Sequence, residues 1–162
     1  MAVSAPVRSH YARRIFAETG RDRLPRNFRP LEAPATGRST VEGCAGGGKN
    51  ILELSVLGDG DRIVDVRAAC GLCNPAMYVA ADLVCEWARG RGVAEVLALD
   101  PLAPATLAPL FAALGASPDD AREKLQYALL ALGNALRAHR GERPAPLPRV
   151  APPSDGAGPD PE

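Results

Sequence analysis

A helix, then strands, then helices: this order along the chain predicts an α+β fold, and three observations carry it. Residues 51–69 alternate apolar and polar side chains around a turn sequence, as the two arms of a β-hairpin do. Asn74-Pro75 reads as a helix start. Beyond it, apolar residues recur at three- and four-residue intervals as far as Leu136, the spacing of one helix face.

Taken in order, residues 7–18 form a first helix with Val7, Tyr11, Ile15 and Phe16 at its apolar positions. Gly20 to Ser39 is broken by Pro25, Pro30 and Pro34 and reads as irregular chain. In the hairpin, Leu52, Leu54 and Val56 share one face of the first strand, and Val64, Val66 and Ala68 are the matching face of the second. Gly58-Asp59-Gly60-Asp61 supplies the turn between them. Asn74 can accept from the free N–H groups of the next helix, and Pro75 suits its first position because no N–H is needed there. Met77, Ala80, Leu83, Val84 and Trp87 make its apolar stripe, and Gly90 stops it. Short helices are expected at 93–98 and 104–114. The last helix is expected to be capped by Ser117, with Pro118 at its first position and Asp119 and Asp120 facing the dipole; Leu125, Leu129, Leu132 and Leu136 are its buried stripe.

From Gly141 onward the chain carries seven prolines and three glycines in 22 residues, too little apolar surface to offset the entropy of ordering it. The expected organisation is one domain over 1–140 and a disordered proline-rich tail over 141–162. No internal repeat is present.

Nineteen basic and nineteen acidic residues cancel, so composition gives no electrostatic case for nucleic acid. No apolar run approaches the roughly 20 residues that span a bilayer. Residues 7–23 are arginine-rich, but Glu18 and Asp22 are out of place in a transit peptide, and no apolar segment of a secretory signal precedes them. The expected location is the cytoplasm, where four cysteines point to metal binding or catalysis rather than to structural disulfides.

Cys73 directly precedes the Asn74 cap, where the positive end of the helix dipole lowers a thiol's pKa and makes it a better ligand or nucleophile. Cys70 continues the inward face of the second strand, so its sequence position suits a small core residue as well as a ligand. Cys44 sits among Gly43, Gly46, Gly47 and Gly48, a backbone open to close approach by a bulky group. That stretch is not a phosphate loop, because Lys49 is followed by Asn50 and the glycine spacing fails. Cys85 falls with Tyr78 and Arg89 away from the apolar stripe, as a surface thiol or part of a contact. His10 and His139 read as structural. The carboxylates look scattered, and neither a Ser–His–Asp set nor an H-E-x-x-H motif is present, so nothing suggests an enzyme in the usual sense.

These residues together resemble a known family. A helix with V-x-x-H-Y (Val7, His10, Tyr11) leads to the glycine-flanked Cys44 and to a hairpin carrying D-x-R (Asp65, Arg67). Cys73 follows at a helix start, and that helix ends in E-W-x-x-G (Glu86, Trp87, Gly90). The arrangement resembles the NifU/IscU-like iron–sulfur cluster scaffold domain. The resemblance implies a small antiparallel sheet of about three strands packed by helices. It further implies a labile [2Fe–2S] cluster or a substituting Zn²⁺, a cysteine desulfurase and cluster-acceptor proteins as partners, and the option of a homodimer. Cys44 and Cys73 match the first two cysteines of the family. Gly46 stands where the family has an aspartate, Gln126-Tyr127 where it has its third cysteine, and Gly115-Ala116-Ser117-Pro118-Asp119-Asp120 where it has a chaperone-recognised proline-rich segment. Cys70 is the candidate replacement ligand, giving the set Cys44, Cys70 and Cys73.

Thiolates serve zinc and iron–sulfur clusters alike, so residue type does not choose between them. Two other functions stay open at this point. One is a degenerate scaffold paralogue that holds structural zinc or no metal and acts through protein contacts. The other is a dithiol oxidoreductase using Cys70 and Cys73, which would call for a βαβ unit around the motif.

Overall fold

The structure is a computed structural model that describes residues 3–19, 24–42, 51–71 and 74–146. Three strands, β1 (Gly37–Glu42), β2 (Ile51–Asp59) and β3 (Arg62–Gly71), form one antiparallel sheet in the order β1-β2-β3. Before them come α1 (Ala5–His10), a π-helical turn (Tyr11–Phe16) and a 3₁₀ turn (Arg26–Phe28); after them come α2 (Pro75–Ala88), α3 (Val93–Leu97), α4 (Pro104–Leu114) and α5 (Asp119–His139). The predicted α+β class and helical C-terminal half are what the chain adopts. No helix among the described residues is long and apolar enough to cross a membrane.

α5 lies across β1 and β2, and α2 packs on β3 and on α5, so the two helices cover one face of the sheet. Alternation puts Leu52, Leu54 and Val56 of β2 on that face, each fully buried, against Leu125, Leu129, Leu132 and Leu136 of α5. Each such side chain contributes about 1.5–3 kcal/mol on leaving water. β1 crosses α5 so closely that an added Cβ on Gly37 would lie 2.1 Å from the Ala135 carbonyl oxygen. Only glycine fits there.

Several local expectations need correction. Val64 is not on the core face. The β2–β3 register shifts between Leu57, opposite Asp65, and Gly58, opposite Ile63, which leaves Val64 as an extra, bulged residue. The bulge inverts the alternation, so Ile63 is fully buried and Val64 is 47% exposed. A similar offset at the N-terminus follows from the π-helical turn, in which Ala17 N–H reaches back to Ala12 O. The wider turn brings Ile15 into the core and turns Phe16 outward. β1 lies at the end of the stretch read as irregular, because six residues with one buried valine carry little periodic signal. α5 starts one residue later than expected, with Pro118 at the cap position and no side-chain cap. Asp120 instead accepts from Ser4 N–H (2.9 Å) and Ser4 Oγ–H (2.8 Å), tying the start of α5 to the start of α1. His139 does more than close a helix, since its ring bridges Thr36 Oγ1 and the Gly60 carbonyl, 2.8 Å from each.

Candidate functional site

The register of the sheet defines the site's location. Glu42 at the end of β1 pairs with Ile51 at the start of β2, and Ile51 pairs with Gly71 at the end of β3. The 43–50 connection, which carries Cys44, and the 72–73 connection, which carries Cys73, therefore leave from one end of the sheet. Cys44 and Cys73 themselves lie outside the described residues, as do Gly43, Gly46, Gly47, Gly48, Lys49 and Asn50. Cys70 is described: it sits at that same sheet end, opposite Leu52, and is half-buried. It is disulfide-bonded, and Cys85 is not its partner, because the Cys85 thiol is free.

Immediately beyond this end, α2 begins as the sequence predicts. Asn74 Oδ1 accepts from Met77 N–H at 2.9 Å and Pro75 takes the first turn. Cys70 borders a cleft whose wall is aromatic: Tyr11, Phe28 and Tyr78 line it, with Tyr78 in tilted contact with Phe28 (centroids 5.2 Å) and edge-on to Tyr11 (6.0 Å). Burial, with Tyr11 nearby, pushes the Tyr78 hydroxyl pKa up, so the wall stays neutral. Among the described residues no charged side chain lines this cleft. Such a wall lowers the local dielectric and limits solvent on one side of Cys70.

Cys85 is neither a surface thiol nor near this opening. It is fully buried in the middle of α2, and burial pushes its thiol pKa far up. Tyr127, where the resemblance expects a cysteine, is half-buried with the Lys124 ammonium 5.8 Å from its ring.

Chains of known structure share this architecture. A putative iron–sulfur cluster assembly scaffold protein for the SUF system from Fervidobacterium islandicum AW-1 superposes with a TM-score of 0.58 at 16% identity, covering 83% of this chain and 96% of that one. The N-terminal part of a nitrogen-fixing NifU-like protein from Brucella abortus gives 0.51 at 10% identity, covering 85% and 94%. A hypothetical protein of known structure gives 0.54 at 18%, covering 82% and 95%. The chain has the NifU/IscU-like fold. No family model and no curated protein sequence matches it. The fold also removes the structural basis for a thioredoxin-like reading, since the three strands are antiparallel and no βαβ unit surrounds Cys70 among the described residues.

Within this NifU/IscU-like frame, the carboxylates that looked scattered are gathered along α2. Asp82, 2% exposed, lies 2.7 Å from His10 Nε2, accepts from Asn27 Nδ2 at 2.6 Å and from Arg14 Nε at 3.3 Å. One turn later Glu86 accepts from the same Asn27 Nδ2 (3.0 Å), from Arg14 (3.2 Å) and from Arg89 (3.2 Å). Arg89 then donates to Asp65 (2.6 Å), to the Val66 carbonyl (2.9 Å) and to Asn27 Oδ1, and Arg67 pairs with Asp65 at 2.9 Å. Burial is the largest single influence on Asp82 and opposes its ionisation, yet hydrogen bonds from His10 and Asn27 and the Arg14 charge together hold its carboxyl below the usual range. Asp65 and Glu86 are lowered in the same way against their own burial, Asp65 by Arg89 and Arg67, and Glu86 first by Asn27 and then by Arg26, Arg89 and Arg14. Every carboxylate in the cluster is matched by a cation or an amide. Among the described residues no group of three His, Cys, Asp or Glu side chains could hold a metal ion. The network ties the N-terminal segment, the 26–28 turn, β3 and α2 into one body, and so fixes the helix whose start adjoins the cysteines. Asn27, Asp82 and Arg89 were missed from sequence. The available signal was Asp82 itself, a carboxylate four residues before Glu86 in an otherwise apolar helix.

Proposed function

We propose that this protein binds a labile iron–sulfur cluster, with zinc or iron as substitutes, through Cys44, Cys70 and Cys73, and carries it as cargo for iron–sulfur assembly. The observation that carries this reading is the convergence at one sheet end. Cys70 lies there, and Cys44 and Cys73 are each two residues beyond the paired residues Glu42 and Gly71. Two residues reach at most about 7 Å, and adjacent strands are about 4.8 Å apart. The covalent chain therefore allows all three sulfurs to reach one point. Three thiolates suit a [2Fe–2S] cluster, leave one position open for transfer, and fit a donor-and-acceptor cycle with a cysteine desulfurase and cluster-accepting proteins. Cys70 is disulfide-bonded here, and a disulfide sulfur is not a thiolate ligand, so reduction has to precede loading.

Anaerobic reduction followed by iron and sulfide should give charge-transfer absorption in the visible. The band should disappear in Cys44→Ala, Cys70→Ala and Cys73→Ala and persist in Cys85→Ala. Protein that remains colourless overturns the reading. Zinc recovered on purification without air, together with failure to take up iron, would support the degenerate paralogue with structural metal instead. The disulfide at Cys70 favours one second reading, a thiol–disulfide exchange role on this different fold; it requires a reduction potential within reach of glutathione, about −200 to −300 mV.

A further inference from the structure

α5 is not where the described chain ends. After Arg140 the backbone reverses at Gly141, Glu142 N–H returns to the Arg137 carbonyl (2.8 Å), and residues as far as Pro146 run back beside the helix. At Asn134 the segment is gripped. Asn134 Nδ2–H donates to the Ala145 carbonyl at 3.1 Å and Asn134 Oδ1 accepts from Ala145 N–H at 2.8 Å. One amide side chain thus satisfies both main-chain groups of one residue, acting as a single-residue strand partner that fixes the direction of the segment as well as its position.

Next to this grip is a small cleft, open to solvent, lined by Trp87, Leu97, Leu99, Leu130 and by Ala145 and Pro146 themselves. Leu99 is 37% exposed on it, a large apolar residue at the surface. The described chain therefore stops at the wall of an apolar cleft. The sequence that continues is Leu147-Pro148-Arg149-Val150, and proline recurs at 144, 146 and 148. Proline fixes its own φ and pushes the residue before it into extended geometry, so proline at every second position favours an extended segment of about 3.1 Å per residue. Such a segment also loses little entropy on docking, and its tether gives it an effective concentration in the millimolar range.

We propose that Leu147–Val150 docks in this cleft, with Leu147 as the apolar side chain that fills it, so that the cleft is the binding site of the protein's own proline-rich tail. The cleft adjoins the C-terminal end of α2. The 14 residues of α2 separate it from the cysteine end of the fold by about 21 Å. The docked tail leaves that end open, and the inference does not depend on the function proposed above.

The test uses the full chain. Trp87 is the only tryptophan, and Arg149–Val150 is the only bond beyond Arg143 that trypsin recognises. Leu147→Asp should expose Trp87 to acrylamide and speed cleavage at Arg149 about tenfold, as expected when a closed segment opens. Asn134→Ala should do the same, and Ala157→Asp should do neither. Far-UV circular dichroism and the urea midpoint of Leu147→Asp check that the fold itself is retained. Leu147→Asp matching the wild type in both readouts overturns the proposal, as does wild-type cleavage at the rate of a free Arg143–Ala151 peptide, which would leave the cleft open to a partner's segment. Protection that vanishes on dilution also overturns it, by showing that a second copy supplies the occupant.

Discussion

Asp82→Ala is the substitution that most directly tests whether the polar network holds the frame. Asp82 receives three donors, from His10, Asn27 and Arg14. Their fates differ on truncation. Arg14 is partly exposed and keeps Glu86 at 3.2 Å, so it loses little. Asn27 keeps Glu86 at 3.0 Å and loses one bond. His10 loses everything, because its Nδ1 is buried without a partner and Nε2 faces only Asp82. A stranded buried polar group costs about 1–3 kcal/mol, and breaking a buried charge pair about 3–5. An expected loss of about 3–4 kcal/mol is a large part of the roughly 5–15 that a domain has. With a urea m-value near 2 kcal/mol/M, the midpoint should fall by roughly 1.5–2 M. Trp87 fluorescence follows the transition. Asp82→Asn, which keeps an acceptor for Asn27, should lose about half as much, and a cycle with His10→Ala should show coupling of about 1–3 kcal/mol. A midpoint shift below about 0.5 M for Asp82→Ala would refute the reasoning, because it would mean that water already reaches these groups.

Two further outcomes follow from the same packing. Gly37→Ala places a Cβ 2.1 Å from Ala135 O and 2.6 Å from His139 N, both backbone atoms of α5, so β1 or the helix must move; denaturant unfolding should show a loss of about 3 kcal/mol, whereas Gly133→Ala, whose added Cβ would meet only Leu97 Cδ2 at 4.0 Å among the described residues, should cost no more than about 0.5 kcal/mol. The carboxyls of Asp65, Asp82 and Glu86 are all held below their ordinary values. Depressed folded-state values contribute stability that is complete above the unfolded pKa of about 4 and is lost as pH falls through the folded ones. Unfolding midpoints should therefore be flat above about pH 5 and drop below about pH 4, less steeply in Asp82→Asn; a midpoint that holds or rises down to pH 3 would count against the network's ionised state.

What was legible in the sequence is what local chemistry determines. Asn74-Pro75, the Leu52–Leu54–Val56 alternation and the leucine stripe of α5 each specify their element through capping or periodicity, and each is found in place. The failures share one cause. Val64 is itself the bulged residue and Phe16 ends the π-helical turn, and a one-residue slip turns a side chain to the opposite face. No composition signal announces either. The polar network was invisible for a different reason: His10 is 72 residues from Asp82, Asn27 is 55 from Asp82 and Asp65 is 24 from Arg89, and only the fold brings them together. Of the candidate site, the alignment of strand ends was unreadable until β1 was in register, because the residues of β1 carry almost no pattern of their own.

The residues that made the sequence resemble a scaffold domain and the residues proposed to do its chemistry are two different sets. His10, Asp65, Arg67 and Glu86, four of the motif positions, all belong to the network that clamps the N-terminal segment and β3 to α2. In a network of this kind the loss of one member strands its partners, so these four residues stabilise the fold together rather than one by one. Cys70 is no member of that network: it lies at the end of β3, opposite Leu52, and its replacement would leave the bonds around Asp82 and Asp65 in place. It follows that the network explains the fold alone, and that the proposal of a bound cluster stands or falls with Cys44, Cys70 and Cys73.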